Sequence, residues 1–201
     1  MQDMLVHTQR GKFYLGLLIS AGACLVLAPF LPWSYYNLYL SGGSTTEVSV
    51  FTTGLGTFFT STQVSGISFS FPELQNWPYG LLTLAVGILT ILVSILVVHR
   101  PEDGGIITFI LSFINIPPSL FFLGRAVEVA QDVGQYLGAL TNIGYTLAGS
   151  SYGYGVGYLV EIIGTFLLPI ASIYIISTAT RMRTVRPKQT FAPPRDEHST
   201  K

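Results

Sequence analysis

The sequence predicts an all-α membrane protein: a four-helix transmembrane bundle with a small antiparallel β-sheet formed by its first extracellular loop. Three observations predict it. Only 10% of the 201 residues are charged and 49% are hydrophobic, whereas soluble domains carry about 25% charged residues. Four stretches are each long and apolar enough to cross a hydrocarbon core, which takes about 20 helical residues. Nine of the ten Lys and Arg residues fall on one side of the topology those stretches define.

The four stretches are residues 13–33, 78–98, 105–124 and 154–178. In water they would expose too much apolar surface, and in lipid they must be helical to satisfy their own backbone groups. The second is the most apolar. The third is interrupted by Asn115 and by Pro117-Pro118, which predict a kink because neither proline donates the helical hydrogen bond. The fourth contains Glu161.

Orientation follows from the basic residues. Arg10 and Lys12 precede the first stretch, and Arg100 lies between the second and third. Arg181, Arg183, Arg186, Lys188, Arg195 and Lys201 follow the fourth, and only Arg125 falls on the other side. The positive-inside rule then places both termini in the cytoplasm of a cell-membrane protein. The predicted organisation is a cytoplasmic N-terminus (1–12), a four-span membrane domain (13–180) and a disordered cytoplasmic tail (181–201). The domain includes outer loops 34–77 and 125–153. The tail is Pro- and charge-rich; it serves orientation or is attracted to anionic lipid headgroups. The link His99-Arg100-Pro101-Glu102-Asp103 is so short that the helices on either side of it must be antiparallel neighbours.

The first outer loop has no Lys or Arg, and its pattern is that of strands. Residues 45–51 are rich in β-branched side chains, and Ile67-Ser68-Phe69-Ser70-Phe71 alternates apolar with polar. Residues 35–40 and 57–64 are plausible partners, with Gly42-Gly43, Gly54, Gly56 and Ser65-Gly66 where turns fall. Such alternation leaves one face apolar, and Phe69 and Phe71 on it are contact candidates. In the second outer loop, Val129, Val133, Tyr136, Leu137 and Leu140 recur at helical spacing, so the third helix should continue beyond the membrane. Arg125, Glu128 and Asp132 share a face there and read as a solvated charge stripe.

Little in the chain points to catalysis. His7, His99 and His198 lie at cytoplasmic ends or links, and no spacing resembles paired metal ligands. A phosphate-binding loop of the GxxxxGK[ST] kind is absent. The chain is therefore expected to be no enzyme and to need no metal or cofactor. A net charge of zero argues against a nucleic-acid partner. Cys24 is the only cysteine, so no intramolecular disulfide can form. Ala21-Gly22-Ala23 before it imitate a lipoprotein signal, but the apolar run continues to Phe30, and Cys24 reads as a packed hydrophobe.

Glu161 is the polar candidate inside a span. A carboxylate at a helix centre costs about 2.5–3.5 kcal/mol on insertion scales. It therefore reads either as a protonated or hydrogen-bonded group, against Asn115 or a tyrosine, or as part of an ion or proton pathway. Gly153 and Gly157 form a GxxxG with Gly164 following, a small-residue face for a neighbouring helix or a second protomer.

One resemblance emerges from particular residues. The first span ends in Leu31-Pro32-Trp33; Phe51-Thr52-Thr53-Gly54-Leu55-Gly56 follows, and Phe71-Pro72-Glu73-Leu74-Gln75 leads to the second span. This resembles the claudin and peripheral-myelin-protein-22 superfamily of tetraspan proteins, whose first extracellular segment carries a Trp and then a Gly-Leu-Trp motif. Trp33, Gly54 and Leu55 match, and the Gly- and Tyr-rich run Tyr152-Gly153-Tyr154-Gly155 looks similar. Gly56 stands where the family has its second Trp, and the family's paired loop cysteines are absent. The resemblance implies an outer sheet that makes lateral or cell-to-cell contacts. The expected partners are the lipid bilayer and further copies of the chain or other membrane proteins. A cofactor-free accessory subunit of a respiratory or transport complex is a second expectation, and a small oligomeric channel or transporter using Glu161 is a third.

Overall fold

The computed structural model describes residues 9–41, 45–62, 79–141 and 146–184. In chain order these form α1 (Gln9–Leu27), a 3-10 turn (Ala28–Phe30), β1 (Pro32–Ser41), β2 (Thr45–Thr53), β3 (Phe58–Thr62), α2 (Tyr79–His99), α3 (Pro101–Thr141), β4 (Thr146–Tyr154) and α4 (Val156–Thr184). Each helix packs against two others, α1 on α2 and α4, and α3 on α2 and α4, closing a four-membered ring. All four are long and apolar enough to cross a membrane.

The bundle is apolar outside and polar within. Leu92, Ile95, Phe113, Leu120, Phe121 and Phe166 are exposed, while Thr83, Thr90, Thr108, Ser112, Asn115 and Ser172 are buried. A water-soluble bundle would arrange them the other way round. Leu18, Ala21, Leu25, Val86, Leu111, Leu168 and Ile175 fill the apolar part of the core. Buried hydroxyls bond to carbonyls three or four residues back, as Thr90 does to Val86 (2.8 Å) and Ser172 to Leu168 (2.7 Å). Helices α1 and α2 cross at Gly22 and Gly87: a Cβ on Gly87 would lie 2.8 Å from the Val26 nitrogen.

Element boundaries follow from local chemistry. Pro29 cannot continue the α1 hydrogen-bond ladder, so the helix tightens into a 3-10 turn. Leu31 turns extended (φ −91°, ψ 160°) as the residue before Pro32 must. Trp33 thus lies in strand β1 rather than at the end of a helix, where the 13–33 span would have it. Helices α2 and α3 are separated by Arg100 alone; Pro101 opens α3, and Glu102 and Asp103 in its first turn suit the helix dipole. Helix α3 runs unbroken through Pro117 and Pro118 for 41 residues. At the α-helical rise it is about 60 Å long, roughly twice a hydrocarbon core. It therefore continues well past the 24-residue span that ends at Gly124. The side chains expected to form its charged and apolar stripes, from Arg125 to Leu140, lie outside the described residues.

The sheet has four antiparallel strands in the order β3-β2-β1-β4. Three come from the first outer loop, as expected. The fourth corrects the expectation that this loop forms the sheet alone: residues 146–154 of the second outer loop pair with β1, Tyr36 opposite Tyr152 and Ser34 opposite Tyr154. The β2–β3 hairpin turns at Gly56, whose φ of 77° disfavours any side chain. Phe69, Phe71 and the rest of the run 67–71 lie outside the described residues.

Candidate functional site

The sheet meets the bundle at Trp33. Its indole is fully buried, and Nε1–H donates to the Ala28 carbonyl at 2.8 Å. The same carbonyl accepts the Leu31 N–H at 3.1 Å, so both lone pairs are used. Phe122 of α3 packs edge-on against the indole (4.9 Å between centroids), and Tyr158 of α4 tilts against it (5.9 Å). Such aromatic pairs contribute about 0.5–1.5 kcal/mol beyond their buried area. The Trp33 carbonyl accepts the Gly155 N–H at 2.7 Å, joining β1 to the start of α4.

Two glycines make room for the ring. A Cβ on Gly54 would lie 2.5 Å from Trp33 Cε2, and one on Gly157 would lie 2.7 Å from Cδ1. The Gly54 carbonyl in turn accepts the Gly80 N–H at 2.7 Å, tying the β2–β3 hairpin to the start of α2. Trp33 and Gly54 are therefore in contact although 21 positions apart in the sequence. Leu55 is half-buried beside them in the hairpin.

Gly153 and Gly157 do not share a helix face, which corrects the GxxxG reading. Gly153 lies in β4 beneath the Tyr35 ring, and Gly157 lies in the first turn of α4 against Trp33 and the 3-10 turn. Gly164 does pack on a neighbouring helix, with a Cβ there 3.2 Å from the Ala21 carbonyl of α1.

About one turn below Tyr158, Glu161 sits fully buried between α3 and α4. Its Oε1 accepts three hydrogen bonds: from Asn115 Nδ2 (2.8 Å), Ser119 Oγ (2.5 Å) and Thr165 Oγ1 (3.0 Å). Asn115 Nδ2 also donates to Thr165 Oγ1 (2.6 Å), and Tyr158 OH donates to the Ser119 carbonyl (3.1 Å). Glu161 Oε2 and Asn115 Oδ1 have no hydrogen-bond partner. Asn115 is thus the partner that the sequence offered for Glu161. Ser119, Thr165, Phe122 and Tyr158 were not singled out there. For Ser119 the signal was a polar stripe, Thr108, Ser112, Asn115 and Ser119, at helical spacing within an apolar span.

Strand β4 is an edge of the sheet, and its tyrosines are exposed. Tyr152 and Tyr154 are 63% and 40% exposed, while Tyr36, stacked on Tyr152 at 6.3 Å, is 3% exposed. Burial pushes the Tyr36 phenol up to about 12. Among the described residues, no three His, Cys, Asp or Glu side chains are grouped to hold a metal. No family model matches the chain, and no curated protein matches it either.

Proposed function

We propose that this chain is a multi-pass cell-membrane protein with a structural or adhesive role, claudin-like in layout, which presents its outer sheet to neighbouring molecules. The observation that carries this reading is the outer strand of the sheet. β4 pairs with β1 on one side only, and the tyrosines along it are exposed. An outer strand offers a row of backbone donors and acceptors for strand addition. Tyrosine adds a large contact area with a polar tip.

The Trp33 socket supports the reading, because it ties the sheet to α2, α3, α4 and the 3-10 turn that ends α1, a route by which a lateral contact would reach the bundle. The inside-out distribution of polar residues supports the bilayer as solvent. Arg10, Lys12 and Arg100, at the end of the bundle away from the sheet, support a cytoplasmic placement for that end. Glu161 is sealed between two helices of one chain, which favours a structural role for it over a conduction pathway.

The test is cross-linking in native membranes. In a Cys24→Ser background, Tyr152→Cys should form disulfide-linked homodimers under mild oxidation, and Tyr152→Asp should reduce self-association in mild detergent. Unchanged association in Tyr152→Asp would remove β4 as the contact. Extraction as a stoichiometric complex with redox or transport subunits would replace the adhesive role with an accessory one.

A further inference from the structure

We propose that Glu161 and Asn115 form a proton-binding site in the α3–α4 seam, with one proton carried on Glu161 Oε2 and directed to Asn115 Oδ1. The inference is independent of any contact made by the outer sheet. It starts from the uneven use of the two carboxyl oxygens. Oε1 takes all three hydrogen bonds offered by Asn115, Ser119 and Thr165, and Oε2 takes none. A carboxylate spreads its charge over both oxygens and needs donors at each. A carboxylic acid has one oxygen that accepts and one that donates; here Oε1 accepts and Oε2 is left open for a proton.

The second orphan completes the argument. Asn115 Oδ1 is an acceptor with no donor, in a fully buried side chain whose amide nitrogen already serves Glu161 and Thr165. Two acceptors, both buried and both without partners, are costly while Glu161 is charged. A single proton on Oε2 supplies the one donor missing from the pair. Among the described residues the other buried side-chain atom without a partner is the Thr83 hydroxyl of α2, which bonds to neither oxygen and does not fill the role.

Among the described residues, no counter-ion is paired with Glu161. Residues 13–41, 79–98, 104–124 and 156–180 contain no Lys, Arg or His, and Glu161 is their only acid. The titratable neighbour is Tyr158 on the same helix, whose hydroxyl is engaged with Ser119. Asn115 and Ser119 of α3 are neutral, and α1 packs on α4 through Ala21 and Leu25 near Gly164. A dehydrated metal cation would need several more oxygens than the two left open here, whereas a proton needs only these.

Infrared spectroscopy of the full chain, reconstituted in phosphatidylcholine vesicles at neutral pH, tests the site. Isotopically labelled glutamate should shift a carbonyl band of a protonated carboxyl. That band should be the same in sodium, potassium and choline buffers and should be lost in Glu161→Gln. Asn115→Leu, which removes both the Oδ1 acceptor and the Nδ2 donor to Oε1, should move the band to higher frequency. Finding only carboxylate bands, or a band that follows the sodium or potassium concentration, would overturn the proposal. A band unmoved by Asn115→Leu would remove Asn115 from the site. The label marks all six glutamates, so the assignment rests on loss of the band in Glu161→Gln; Glu161→Asp, which keeps a carboxyl but removes the labelled residue, makes the same assignment should Glu161→Gln fail to fold.

Discussion

Gly54→Ala should destabilise the protein through one contact, and that contact can be isolated. The added Cβ would lie 2.5 Å from Trp33 Cε2, 2.7 Å from Nε1 and 2.8 Å from Cζ2, well inside the roughly 3.5–4.0 Å of relaxed packing. The ring cannot retreat. Its nitrogen is bonded to the Ala28 carbonyl, Phe122 lies on it edge-on, and Gly157 closes the Cδ1 side. Overpacking of this kind costs about 1–3 kcal/mol, which for a chain of this size lowers Tm by about 2–12 °C. In a Trp33→Leu background the three crowded atoms are gone. Adding Gly54→Ala there should then cost no more than about 0.5 kcal/mol, the usual scatter of additivity. Thermal unfolding of the four proteins in one detergent measures the coupling. An equal penalty in both backgrounds would show that Gly54 is not the floor of the Trp33 socket, and the seating of the sheet would need another explanation.

Two further outcomes follow from the same packing. Thr165→Val removes a donor to Glu161 and an acceptor from Asn115; it should cost about 1–3 kcal/mol, read as a lowered Tm in detergent. Tyr36 should resist ionisation until about pH 12, against 10.0 for an unperturbed phenol. Burial favours the neutral form, so its contribution to stability is intact below pH 10.0 and is lost between there and about pH 12 as the unfolded state releases the proton first. Ultraviolet titration checks the ionisation, and Tyr36→Phe should flatten that part of the stability profile.

What the sequence disclosed depended on whether the signal was local. The spans are compositional, and the β1 and β2 segments show in short runs of β-branched and aromatic residues. Strand β4 was hidden because Gly149 and Gly153 weaken any strand pattern. Its register is set by β1, more than a hundred residues earlier. Long separations in the sequence also hid the meeting of Trp33 with Phe122 and Tyr158. Trp33, Gly54 and Leu55 were singled out through a family motif, and the structure gives Trp33 and Gly54 a physical connection as ring and floor. Gly56 has its own reason to be glycine in the positive φ of the hairpin turn. Ser119 escaped notice because hydroxyls bonded to their own helix are common in apolar spans, and only the fold shows that it reaches Glu161, whereas Thr165 stands one helical turn after Glu161 on the same helix.

Sidedness is the most direct test of the account. In a Cys24→Ser background, single cysteines replacing Ser41 and Tyr152 on the sheet and Arg100 in the α2–α3 link are all at exposed positions. With a membrane-impermeant maleimide on intact cells, Ser41→Cys and Tyr152→Cys should label at once, and Arg100→Cys only after permeabilisation. Labelling of all three from the same side, or recovery of the chain as a soluble monomer without detergent, would contradict it.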